Sequence, residues 1–125
     1  MSQVLQIPLV KYVITTLNQL YEIESKLRVH GDPGNVTRNV QRIREEIEQN
    51  ALLFYEDPMG ERFDETRTDL EATISGEATD SLSVVEVIKP IIRAGTEATS
   101  RVIQKGIVVV RADAQAHQNS PSVPQ

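Results

Sequence analysis

Residues 60–75, GERFDETRTDLEATIS, are where the chain changes period. Before them, apolar residues recur at intervals of three and four; after them, Leu70, Ala72 and Ile74 alternate with Glu71 and Thr73, as in a half-buried strand. The two periods predict an α+β fold, with helices first and a sheet after. The charges in between are Glu61, Arg62, Asp64, Glu65, Arg67, Asp69 and Glu71. Carboxylates this dense can serve acid–base chemistry or a hard metal. Here Arg62 and Arg67 are interspersed and would lower the carboxylate pKa values rather than raise them. No histidine and no glycine-rich phosphate loop lies nearby. The segment therefore reads as a solvated connection, with Asp69, Glu71 and Thr73 on the wet face of the strand.

Upstream, a helix is expected from near Pro8 to about Val29. Val10, Val13, Leu17, Leu20 and Leu27 form its buried stripe, widened by Leu9, Ile14, Tyr21 and Ile23. One short partner helix cannot cover so broad a face. HGDPGN, residues 30–35, stops the helix and turns the chain. A second helix is expected from about Val36 to Tyr55, capped by Asn35, with Arg42–Glu46 and Arg44–Glu48 pairs on its wet side and Glu56-Asp57-Pro58 ending it.

Downstream, SVVEVIKPIIR (83–93) predicts a strand in which Pro90 demands an edge, a bulge or a break, and RVIQKGIVVVR (101–111) one with a bend or bulge at Gly106. Residues 75–83 and 94–100 read as loops. The domain organisation expected is a helical region over 1–59, a β-rich head over 60–113 and a polar, disordered tail over 114–125.

The chain has 125 residues, no cysteine, and 18 acids against 13 bases for a net charge of −5. This balance disfavours nucleic acid and anionic membranes as partners. Tyr12, Tyr21, Phe54, Tyr55 and Phe63 are its aromatics, too few for base-stacking platforms. Disulfide, thiolate and zinc–sulfur chemistry are excluded by composition. No secretory leader or membrane span is read at the start, and a cytoplasmic protein is expected. His30 is expected to serve the end of the first helix, and His117 to be solvated. Ser81, Ser83 and Ser100 lack a nucleophile-elbow context. Arg93, Arg101, Lys105 and Arg111 are a sparse basic series better suited to protein contact than to nucleic acid. An enzyme is not expected, nor a cofactor.

Taken in order, these pieces resemble GrpE, the nucleotide-exchange factor of DnaK-type chaperones. The resemblance rests on Gly60, Phe63 and Asp64, then Arg67 and the strand ending Ala72-Thr73-Ile74. It continues through Val84-Val85-Glu86-Val87-Ile88, Arg101-Val102 and Val108-Val109-Val110. Upstream, IPLVKYVITTLNQLYEIE resembles the family's bundle-forming segment. Departures are Glu65 for the usual proline, Thr68 for the usual histidine, Pro90-Ile91-Ile92 for Lys-Gly-Tyr, and a stalk helix that is absent or nearly so. The resemblance implies a homodimer with a four-helix bundle and a small β-rich head that binds the nucleotide-binding domain of a DnaK-type chaperone and speeds ADP release. It implies chaperone contact through Ile88, Arg101 and Val110. It further implies that Phe63 plugs the joint between bundle and head and that Asp64 fixes the turn. The alternative is a GrpE-like adaptor or assembly protein without exchange activity.

Overall fold

A computed structural model describes residues 2–113, with side chains from residue 9 onward; the expected tail 114–125, including His117, lies outside the described residues. The fold is α+β, two N-terminal helices followed by strands. Helix α1 spans Ser2–His30, so it begins before Pro8, and α2 spans Val36–Ala51. Strands are β1 (Leu53–Glu56), β2 (Arg62–Phe63), β3 (Leu70–Ser75), β4 (Leu82–Lys89), β5 (Ile91–Gly95), β6 (Ser100–Gln104) and β7 (Gly106–Ala112). The described residues fall into two compact units: the first holds the chain up to Glu56 together with Ile92–Ile103, the second Asp57–Ile91 and the chain from Gln104 onward. The first break is close to the expected boundary after residue 59, but Ile92–Ile103 groups with the helices.

In the first unit, α1 ends on Gly31, whose N–H donates to the Leu27 carbonyl at 2.8 Å. Asn35 does not cap α2 with its side chain; it takes a left-handed φ of 57°. Asp32 is the cap instead. Its carboxylate accepts the N–H groups of Val36 (2.6 Å) and Thr37 (2.9 Å). Those bonds, Thr37 foremost, hold its pKa below the usual carboxylate range. Helix α2 is also shorter than its apolar spacing suggests. Leu52 adopts φ 54° and donates its N–H to the Glu48 carbonyl, closing the helix with a non-glycine residue, and the chain continues as β1. Leu53 and Tyr55 are buried by strand alternation. Strands run in the order β1-β5-β6, and Gly95 donates to the Leu52 carbonyl at 2.7 Å.

A polar knot ties the helices to β1. The Tyr55 hydroxyl donates to Glu24, whose carboxylate also accepts Arg44 Nη1 at 3.1 and 3.2 Å. The Arg44 guanidinium lies over the Tyr55 ring, 4.2 Å from its centroid, and Tyr21 meets the ring edge-on at 5.6 Å. Arg44 thus reaches across to α1 rather than along α2 to Glu48. Burial, and then the Glu24 bond, raise the Tyr55 pKa.

The second unit is a four-stranded sheet, ordered β2-β4-β7-β3. Strands β4 and β7 are antiparallel, as are β2 and β4, while β3 runs parallel to β7. Pro90 ends β4 before β5, and Lys105 separates β6 from β7. Gly106 opens β7 under close cover: an added Cβ would lie 2.9 Å from Leu70 Cδ2 and 3.0 Å from Ile91 Cγ1.

Candidate functional site: the outer sheet face

Parity along β7 divides the second unit's sheet into two faces. Val108, Val110 and Ala112 are buried, whereas Ile107 and Val109 are half-buried and Arg111 is exposed. Register extends this division: Ala72 and Ile74 pair with Val108 and Val110, and Glu71, Thr73 and Ser75 with Ile107, Val109 and Arg111. We call the Val110 side the inner face and the Val109 side the outer.

On β4 a simple alternation would bury a charge. Val84 pairs with Val110 on the inner face, so strict alternation would turn Glu86 inward as well. Instead the register shifts between Val84 and Glu86, and Glu86 pairs with Val109. Val87 then pairs with buried Val108, and a second shift sets Lys89 opposite Ile107. Each bulge keeps a charge in water and adds one residue to the strand. The added residues are Val85 and Ile88, exposed at 43% and 54%. The outer face therefore presents Val85, Ile88, Ile107 and Val109, framed by Glu86, Lys89 and Arg111. An apolar centre inside a charged rim is the anatomy of a protein-contact surface.

The residues singled out in the sequence distribute as follows. Ile88 belongs to this face. Val110 has 0% exposure and is core; its side chain offers no surface. Arg101 is exposed on β6, which belongs to the first unit. Phe63 lies on β2 opposite Leu82, on the inner side. Asp64 Oδ1 accepts the Thr66 N–H at 2.8 Å and also the Thr66 hydroxyl, and the Asp64 carbonyl accepts the Arg67 N–H at 3.1 Å. The Thr66 bonds hold the Asp64 carboxyl below the usual range. Arg67 bonds both oxygens of Asp69 at 2.9 Å and Glu61 at 3.1 Å. Two carboxylates of the opening stretch thus close a connection around one guanidinium, while Arg62 pairs with Asp113 at 3.2 Å. Arg93 pairs with Glu56 at 2.8 Å, and His30 is exposed at the end of α1.

Val85, Ile107 and Val109 were not singled out as contact residues. Arg111 was the available signal, because a charged residue on the final strand marks its own parity as outward. Among the described residues no group of His, Cys, Asp and Glu is arranged to hold a metal ion, and no helix is long and apolar enough to cross a membrane. No protein-family model, curated protein or solved structure matches the chain.

Proposed function

We propose that the protein is a GrpE-like nucleotide-exchange cochaperone, which binds the nucleotide-binding domain of a DnaK-type chaperone through the outer sheet face. The observation that carries this reading is the pair of bulges on β4, which bring Val85 and Ile88 out beside Ile107 and Val109. The ordered resemblance from Gly60 to Val110 supplies the partner class. Contact is assigned to Ile88, with Val109 in the place first given to Val110, and to Arg101 as a separate charged contact. Such a protein acts by differential affinity: it binds the open nucleotide cleft better than the closed one, and ADP leaves faster in proportion.

Self-association through the helices belongs to the same proposal. At 1.5 Å per residue, α1 is about 43 Å long and α2 about 24 Å, so α2 spans little more than half of its neighbour. Leu9, Val10, Tyr12 and Ile23 are exposed on α1. A second copy would cover them in a four-helix bundle.

Stopped-flow release of a fluorescent ADP analogue from a DnaK-type chaperone of the same cell is the test. Acceleration by the wild type, lost in Ile88→Asp with an unchanged circular dichroism spectrum, is expected. Binding without acceleration would leave an adaptor without exchange activity.

A further inference from the structure

We infer that the free edge of β3 pairs with β3 of a second copy of the chain, antiparallel and with Thr73 opposite Thr73, so that Glu71 of each copy meets Arg111 of the other. The two edges of the four-stranded sheet differ in protection. Strand β2 is at one end and is only two residues long, which leaves little for another strand to pair with. Strand β3 is at the other end with six residues, and it holds neither proline nor lysine. Its ladder to β7 runs from Leu70 to Ser75 without a register shift, so no bulge turns the edge away. The far side of β3 has no strand partner among the described residues.

Charge selects the partner and the register. Among the described residues neither Glu71 nor Arg111 has an ion-pair partner. Both are exposed on the outer face, but Arg111 is opposite Ser75, about 13 Å along β3 from Glu71, too far to pair within one chain. The Arg111 guanidinium lies over β3, with Nη2 3.5 Å from Ser75 Oγ. A second β3, antiparallel and with Thr73 at the two-fold axis, sets its Glu71 opposite Ser75, one strand spacing of about 4.8 Å further out. The symmetry makes this contact twice. Sliding the second strand by two residues one way would set Glu71 opposite Glu77, and the other way would bring Asp69, already held by Arg67, to Ser75. Sliding it by one residue would exchange its faces.

The inner face agrees with this register. Ile74 of each copy stands opposite Ala72 of the other, and Ile74 is 40% exposed in the single chain. Asp64, Glu65 and Asp80 also line the inner groove beside Ala72 and Ile74. Asp64 and Glu65 follow β2, at the opposite edge of the sheet, and Asp80 precedes β4. The strand directions place all three at the end where β2, β3 and β7 finish and β4 begins. Reversal carries Ile74 of the second copy to the other end, beside Ala72, and leaves only its small Ala72 toward those carboxylates. The two acidic ends are then about 13 Å apart along the paired strands, beyond the ~8 Å screening length at physiological salt.

A six-residue edge is a small contact, so a dissociation constant of roughly 0.1–1 mM is expected, and the tests are run at about 0.3 mM protein and physiological salt. All use the full-length chain carrying Tyr12→Glu and Ile23→Glu, which disable the proposed helical contact and keep the two associations distinct. The chain has no cysteine, so a single introduced one reports on self-contact. Opposed residues of an antiparallel pair have Cα atoms about 4.5–5.5 Å apart, a disulfide distance. Thr73→Cys oxidised with glutathione disulfide should therefore give covalent dimer, and the exposed Glu97→Cys only background. In sedimentation equilibrium, Glu71→Lys and Arg111→Glu should each weaken self-association by roughly tenfold, because each reverses a charge at both symmetric contacts. An equimolar mixture of these two variants should recover association, since positions 71 and 111 are again of opposite sign across the mixed dimer. All these positions are exposed, so circular dichroism should be unchanged. Thr73→Cys that crosslinks no better than Glu97→Cys would overturn the proposal. So would single charge variants that associate as their parent does, or a mixture that fails to recover.

Discussion

At the residue scale, Tyr55 does most to join the two helices to β1. Its hydroxyl serves Glu24, its ring carries Arg44 and its edge meets Tyr21. Tyr55→Phe keeps the ring and removes one donor from a carboxylate that is largely shielded from water. A loss of about 1–2 kcal/mol in urea titration is expected; an unchanged midpoint would mean that Arg44 satisfies Glu24 alone. The pH dependence follows from the raised Tyr55 pKa. Folding favours the protonated phenol, so its contribution is complete below the unfolded value near 10 and declines as pH rises beyond it. Wild type should therefore lose stability in that alkaline window faster than Tyr55→Phe. Asp32 has the opposite sign: its pKa is lowered, so the cap contributes above about 3.8 and fades as pH falls through the folded value. Neighbouring valines provide a second test at this scale. Val110→Ala should cost about 2 kcal/mol and Val109→Ala less than about 1, because only Val110 is fully enclosed. Reversed costs would invert the two faces. Composition could not separate these valines, but the parity set by Arg111 could. The Leu52 cap was not legible at all, since nothing in Leu52-Leu53-Phe54-Tyr55 announces a left-handed leucine, and Phe54 continues the helical spacing.

At the scale of elements, α1 has two apolar sides. Leu17, Leu20 and Tyr21 are buried within the chain, while Tyr12 and Ile23, three helical turns apart on one side, are exposed at 65% and 39%. Replacing Leu20 would consequently report on folding. The double variant Tyr12→Glu/Ile23→Glu reports on association: sedimentation equilibrium should show a dimer for wild type and a monomer for the variant, with helix content retained. A wild type that is monomeric at micromolar concentration would remove the four-helix bundle. The β5–β6 hairpin offers a backbone test. Gly95 has φ 125°, and a Cβ there would strike the Thr99 carbonyl, which Thr96 N–H already bonds at 2.9 Å. At Gly106 the obstructing atoms are side-chain methyl and methylene groups that can shift. Gly95→Ala should therefore lower the urea midpoint more than Gly106→Ala, whose cost should be about 1–3 kcal/mol. Most elements were readable from period and punctuation: two helices, β3, β4 broken from β5 at Pro90, and a bend near Gly106. The two bulges and the parallel pairing of β3 with β7 were not. Register depends on partners distant in the chain, which no local period encodes.

At the scale of the molecule, chain order and spatial grouping disagree, and this bears on how the protein can be made. The chain leaves the first unit after Glu56, returns at Ile92 and leaves again after Ile103. During synthesis the helices and β1 emerge first among the described elements, but the strands that complete their sheet, β5 and β6, follow only after β2, β3 and β4. The second unit waits as long, because β7, one of its two central strands, is the last of the described strands to appear. A fragment ending at Glu56 should expose Leu53 and Tyr55 and aggregate or stay partly unfolded, and a fragment starting at Asp57 should carry an unsupported hairpin. Near-UV circular dichroism of the two fragments, separately and mixed, would detect any fixed packing; a cooperative transition in either alone would contradict this. Until β7 has emerged, then, the nascent chain holds neither unit complete, and the apolar strands already made stay uncovered for most of the time that the chain is being extended.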